Sequence, residues 1–269
     1  MPGAASDLDV GSIRVQVESQ GAGSPFVLVH SLLTGPEAFG EVADALAKRY
    51  LVHRVSLPGF GRSDRLPQPD PTIDDLADHL AATVAALAGG PDAIVLGNGL
   101  GGFVAAAMAV RHGSTFGRLI LSNSGAAFPA DRTAAFGTMS ALVTEGGMQA
   151  VVDVAVRRIF PEHYIEAHPE AVAQRRSVLE AVDSVAFAAA CRALAATDLR
   201  PALSRLANET LVVVGAEDAT TPPEMGHELA ARIGNSTVAV IEACGHCPQL
   251  QAPAALLDAI RSFVDREAP

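Results

Sequence analysis

Gly97-Asn98-Gly99-Leu100-Gly101-Gly102 is a glycine frame of the kind that carries a nucleophile on a sharp strand-to-helix turn. Such a turn needs glycine two residues before and two after its centre, because a Cβ at either place meets the turning backbone. The centre here is Gly99, where acyl-transfer chemistry would call for a hydroxyl or a thiol. Downstream, Gly215-Ala-Glu-Asp218 and Ala243-Cys-Gly-His246 each follow an apolar run, which puts both on loops. A carboxylate orienting an imidazole is the base half of a hydrolytic triad, and elbow, acid, histidine is one of its known chain orders. Asp218 as a helix cap, or His246 as one loop histidine among eight, would explain either residue alone. Together with the glycine frame they point to a retained Asp218–His246 pair facing position 99.

Two backbone amides complete the expected site. One belongs to Leu100, directly after the elbow centre, and the other to Leu32 in the loop His30-Ser31-Leu32 after an earlier strand. Such donors hold a developing oxyanion and do not depend on the side chain at 99. His30 and Ser31 are expected to shape the second donor and to contact substrate. With glycine at 99, three readings stay open. Gly99 is an inactivating replacement in a hydrolase, or His246 acts without a covalent step, or the chain only binds a small molecule. In the second reading, His246 deprotonates a water in the space left by the missing side chain. It could equally take a proton from carbon beside a carbonyl, as in an isomerase or ring-opening lyase. Ser31, Ser122, Ser124, Cys244 and Cys247 lie nearby in sequence terms, but none is at the elbow, and nothing in the sequence lowers a thiol pKa.

Bulk composition narrows the partners. Thirty acidic against 19 basic residues gives a net charge of −11, which disfavours nucleic acid and anionic membrane. The first residues lack a basic start and apolar core, and no apolar stretch is long enough to span a bilayer. Three cysteines, with no disulfide framework, fit a reducing cytoplasm. Cys244-Gly-His-Cys247 looks like half a metal clip, but without a second ligand pair no metal is expected. A small-molecule substrate and no cofactor are the expectation, with a homodimer left open.

The elements that must position these residues alternate between strand and helix. Val10 to Glu18 alternates as an edge strand or hairpin, and Phe26 to Val29 is a short buried strand. Further strands fall at 50–55, 93–96, 118–122, 211–214 and 238–241, with helices over 36–49, 72–87, 102–112, 223–233 and 253–266. Thr72 reads as an N-cap with Asp74 and Asp75 in the first turn. The pattern predicts an α/β fold with a mostly parallel sheet and helices on both faces. Residues 126–208 turn almost wholly helical, broken near Gly146, Pro161 and Pro169, and read as a lid inserted into a core of 1–125 and 209–269.

On these residues the chain resembles the α/β-hydrolase superfamily over essentially its full length. Phe26 to His30, Leu57-Pro-Gly-Phe-Gly-Arg-Ser63, the elbow, Gly215-Ala-Glu-Asp218 and Gly245-His246 fall in that superfamily's order. The stretches His30-Ser-Leu-Leu-Thr34, Ser122-Asn-Ser124, Glu145-Gly-Gly-Met148, His168-Pro-Glu170, Asp198-Leu-Arg-Pro201 and Thr221-Pro-Pro223 are similar to 3-oxoadipate enol-lactone hydrolases. The resemblance implies Ser at 99 with Asp218 and His246, from which Gly99 departs. His30 and Leu33 depart from the enol-lactonase loop as well. It implies hydrolysis of a small lactone or ester of the aromatic-degradation type, and a carboxylated substrate suits the lid arginines Arg132, Arg157, Arg158, Arg175, Arg176 and Arg192. Of these, Arg132 and Arg192 are the expected carboxylate contacts. Phe103, Phe128, Phe136, Phe160 and Phe187 are expected to pack rather than recognise.

Overall fold

A computed structural model describes residues 4–265. The strands are β1 (Ala4–Val10), β2 (Ile13–Gly21), β3 (Pro25–Val29), β4 (Leu51–Val55), β5 (Gly90–Asn98), β6 (Phe116–Ser122), β7 (Glu209–Gly215) and β8 (Ser236–Ile241). They form one sheet in the order β1-β2-β4-β3-β5-β6-β7-β8. The pairs β1–β2 and β2–β4 are antiparallel, and every later pair is parallel. Val10 to Glu18 is therefore part of a hairpin, turned at Gly11 with φ +62°.

Period-2 patterning explains why the central strands are apolar throughout. Phe26, Leu28, Ile94, Leu96, Ile120, Leu211 and Val213 pack on one face, against α1 (Gly40–Leu46) and the last helix, α11 (Pro253–Val264). Their neighbours Val27, Val29, Val95, Leu119, Leu121, Val212 and Val214 face the other way, into a second layer with α2 (Ile73–Ala86) and α3 (Leu100–His112). Each such side chain fully removed from water contributes about 1.5–3 kcal/mol. Thr72 caps α2 as expected: Asp75 N–H donates to Thr72 Oγ1 at 3.1 Å and Thr72 N–H returns to Asp75 Oδ2 at 2.8 Å. A cap of this kind contributes about 1 kcal/mol.

Some boundaries differ from expectation. The helix expected over 36–49 opens as a 3-10 turn at Pro36–Phe39 and its α-helical part ends at Leu46. The strand at 238–241 is an edge strand, β8, with Val238 and Val240 exposed, so it is only half covered. Arg266, the expected end of the last helix, lies outside the described residues.

Between the neighbouring parallel strands β6 and β7 the chain inserts five helices. These are α4 (Ala130–Gly146), α5 (Val152–Ile159), α6 (Glu162–Ala167), α7 (Pro169–Glu180) and α8 (Ser184–Ala196). The breaks fall where glycine and proline dictate: Gly147 follows α4 with φ +69°, Pro161 follows α5, and Pro169 opens α7. The insertion shares one continuous apolar core with the α2–α3 side of the sheet. After β7 come α9 (Pro223–Ala231), β8, the short α10 (Pro248–Gln251) and α11. No described helix is long and apolar enough to cross a membrane.

Candidate active site

The elbow forms as its glycines require. Gly99 sits between β5 and α3 at φ +53°, ψ −118°, a backbone conformation that L side chains rarely adopt. A Cβ on Gly97 would come within 2.2 Å of the Gly101 carbonyl oxygen, so the turn closes only on glycine. Gly101 N–H donates to the His30 carbonyl at 3.1 Å and Gly99 N–H to the Ser122 carbonyl at 3.1 Å, fixing the turn between β3 and β6.

Asp218 and His246 meet. His246 Nδ1 lies 2.9 Å from Asp218 Oδ2, and both side chains are buried. The carboxylate is held by four further hydrogen bonds. Thr220 and Thr221 N–H donate to Oδ1 at 2.7 and 3.0 Å, while Thr221 Oγ1 and Asn123 Nδ2 donate to Oδ2 at 2.7 and 3.0 Å. Burial pushes the Asp218 pKa up, but attraction to His246 and the hydrogen bonds from His246, Thr221 and Asn123 outweigh it and leave the acid below its ordinary value. The ionised carboxylate accepts from Nδ1–H, and in the neutral imidazole with that tautomer Nε2 is the acceptor.

Nε2 faces a small, largely apolar cavity of about 20 Å³, the space for one or two water centres. Ser31, Leu32, Gly99, Leu100 and His246 form its polar floor. Phe103, Phe128, Phe136, Met139 and Leu194 form the roof, so three of the phenylalanines expected only to pack also line the site. Among the described residues, neither Leu32 N–H nor Leu100 N–H donates to a protein acceptor. Leu100 is the first residue of α3, where amides have no intrahelical partner and the helix dipole favours negative charge.

Three expected contacts fall elsewhere. His30 is fully buried beneath its loop, not in the cavity wall: Nδ1 donates to the Ser31 carbonyl at 2.8 Å, and Nε2 accepts from Leu57 N–H at 3.0 Å. Both ring nitrogens are used up in pinning the loop. Arg132 reaches over the acid loop instead, donating to the Ala219 carbonyl at 2.8 Å. Arg192 is exposed and turned away, with Nε on Asp70 Oδ1 and Nη1 on Ser140 Oγ, each at 2.8 Å. The cation in the cavity wall is Arg158, in the last turn of α5. Among the described residues its buried Nε has no hydrogen-bond partner. Burial, with the Arg132 charge nearby, holds its pKa below the ordinary arginine value.

The space expected beside Gly99 is also different. Ser31 Oγ occupies it, 3.2 Å from His246 Nε2. The cysteines do not compete as nucleophiles: burial pushes the Cys244 thiol up to about 12, and Cys247 is raised further.

Several positioning residues escaped the sequence reading. Asp218-Ala-Thr-Thr221 before two prolines carries the signature of an Asx turn, which would have identified both threonine amides. Arg158, one of the lid arginines expected to supply a carboxylate contact but not one of the two singled out, lies three residues after Ala155, at the edge of the buried arc of α5. Asn98 ties the elbow to the histidine loop through Nδ2, which donates to the His246 carbonyl at 3.0 Å, and no local pattern marks it. The inserted helices are tied to the same loops: His246 N–H donates to the Ile159 carbonyl at 3.0 Å, and Thr220 Oγ1 to the Arg158 carbonyl at 2.8 Å.

The sequence profile of the alpha/beta hydrolase family matches residues 26–259. The chain belongs to the alpha/beta hydrolase family. It is 29% identical over 224 residues to 3-oxoadipate enol-lactonase 2 of Acinetobacter baylyi, covering 81% of this chain and 80% of that one. It is also 29% identical over 265 residues to the pimeloyl-[acyl-carrier protein] methyl ester esterase of Aeromonas hydrophila, covering 94% of this chain and all of the other. Among solved structures, a hydrolase from Pseudomonas aeruginosa PA01 superposes with a TM-score of 0.90 at 26% identity, over 98% of this chain and 99% of that one. This alpha/beta hydrolase pairs Asp218 with His246 beside the glycine frame and has no side chain at the elbow centre, Gly99.

Proposed function

We propose that the protein hydrolyses small esters or lactones bearing a carboxylate, in the cavity between the sheet edge and the inserted helices. The observation that carries this reading is His246, braced by Asp218 at 2.9 Å, with Nε2 turned toward a cavity floored by two amides that have no protein acceptor among the described residues. His246 takes the proton of the attacking oxygen and returns it to the leaving group, as a general base and then acid. Leu32 and Leu100 N–H hold the oxyanion that forms on the carbonyl oxygen. Arg158 receives the substrate carboxylate, since its guanidinium faces the cavity without a counter-charge among the described residues.

An enol lactone with one free carboxylate, the class that the name of the Acinetobacter relative denotes, fits these groups. Its enolate leaving group is better than an alkoxide, which lowers the demand on the base. The closed cavity is smaller than such a molecule, so α4, α5 and α8 act as a lid that separates to admit it. Residence in the cytoplasm belongs to the same reading.

The test is product analysis on the purified chain. It should convert a simple lactone, p-nitrophenyl acetate and a carboxylated enol lactone to the free acids, with the last favoured in kcat/KM. Absence of acid product from all three contradicts the proposal.

A further inference from the structure

Position 99 has no side chain, but a hydroxyl stands where one would project. A Cβ built on Gly99 would lie 2.4 Å from Ser31 Oγ and 2.8 Å from His246 Nε2. Ser31 Oγ therefore occupies the region into which an elbow serine would extend, and it contacts the same base atom at 3.2 Å. Since Nδ1 carries the imidazole proton, Ser31 donates and Nε2 accepts.

The loop that carries this hydroxyl is tied by its own hydrogen bonds. Ser31 N–H donates to Thr34 Oγ1 at 3.2 Å, and its carbonyl accepts from His30 Nδ1 at 2.8 Å. Ser31 is 1% exposed, and among the described residues its hydroxyl has no partner but His246. A serine needed only to end a strand would not have its side chain delivered to the base.

The amide donors suit attack from this side as well. In an ordinary elbow one oxyanion amide belongs to the residue after the nucleophile and the other to the loop after β3. If Ser31 attacks, Leu32 is the residue after the nucleophile and Leu100 is the donor from across the site. The pair of amides is unchanged and its roles are exchanged.

Resting on the hydrolytic reading above, we infer that Ser31 is the nucleophile, relocated from the elbow to the loop after β3. Ser31 Oγ bonds to the acyl carbon while its proton passes to His246 Nε2. The carbonyl electron pair moves onto oxygen, held by the two amides. As the carbonyl reforms, the bond to the leaving oxygen breaks and that oxygen takes the proton from Nε2, leaving an acyl ester on Ser31. A water, deprotonated by His246, then attacks the same carbon. Ser31 Oγ leaves with the proton, and the free acid is released.

The test uses the full chain and p-nitrophenyl acetate. Rapid mixing should show a burst of p-nitrophenol near about one equivalent per chain, and acid-quenched protein should carry an acetyl group on the peptide containing Ser31. Ser31→Ala should lose the burst and at least about a thousandfold in turnover. Ser31→Cys should keep a burst, with the acetyl group as a thioester. The peptide map of the unsubstituted chain reads the result even if Ser31→Ala fails to fold.

Turnover by folded Ser31→Ala within about threefold of the parent, with no acyl-protein in either, would overturn the inference in favour of water attack. In that case the hydrolytic reading survives provided His246→Ala is inactive. Undiminished turnover by His246→Ala, or no turnover by the parent chain, removes both.

Discussion

Asn123 donates from one amide nitrogen to two partners, Asp218 Oδ2 at 3.0 Å and the Gly245 carbonyl at 2.9 Å. It thereby fixes the acid relative to the loop that carries the histidine. Asn123 is able to do so because it adopts φ +48° directly after β6, a conformation asparagine tolerates better than most residues. Asn123→Ala removes a hydrogen bond to a charged group, for which about 1.5–3 kcal/mol is typical. The expected outcome is a fall in kcat of about ten- to a hundredfold with KM nearly unchanged, measured by steady-state ester hydrolysis. A change confined to KM would show that Asn123 contacts substrate instead of orienting the acid.

Arg158 should discriminate between substrates rather than drive the chemistry. Arg158→Leu is expected to raise KM for a carboxylated ester by about ten- to a hundredfold, the loss of one charge-assisted contact. A neutral ester of similar size should be affected little. Equal losses on both substrates would assign Arg158 to the fold. Arg132→Ala and Arg192→Ala provide the contrast, since neither lines the cavity.

Acid should weaken the fold well before the carboxylates titrate. Burial depresses the pKa of His30 below its ordinary value of 6.5, and His53 and His79 are depressed in the same way. The unfolded chain therefore takes up more protons than the folded one as pH falls below about 6.5, and stability present above that value is progressively lost. For His30 the reason is local: Nε2 accepts from Leu57 N–H, and a proton there would set two donors against each other. Urea midpoints at about pH 7.5, 6 and 5 should fall in that order. Constant midpoints would show that these histidines do not stay neutral in the folded chain.

Restoring serine at the elbow should be costly. A side chain at 99 must adopt φ +53° and displace Ser31 Oγ, which lies 2.4 Å from the new Cβ. Gly99→Ser is expected to destabilise by about 1–3 kcal/mol, with part of the loss recovered when Ser31→Ala is added. Thermal melts of both single variants and the double variant measure this coupling. Strict additivity would contradict the contact.

The sheet was legible because each parallel strand is a short apolar run ending at a glycine, a histidine or a polar turn. β3 ends before His30, β5 at Asn98 and β7 at Gly215, so their residue types alone mark the edge where the site lies. The Asp218–His246 pairing was legible for the same reason: both residues follow parallel strands that are neighbours. What escaped depends on partners distant in sequence. Arg192 is held by Asp70, 122 residues away, and no local pattern shows that it turns from the cavity. The approach of Ser31 to His246 spans 215 residues and depends on what glycine at 99 leaves free. Asn98 likewise reaches the His246 carbonyl across 148 residues.

The central claim is that His246, oriented by Asp218, is the base for acyl transfer in this cavity. Its most direct test is the turnover of p-nitrophenyl acetate by the parent chain and by folded His246→Ala under identical conditions. A loss of at least about a thousandfold in kcat is expected, with the thermal unfolding transition retained. Equal turnover by the two proteins would contradict it.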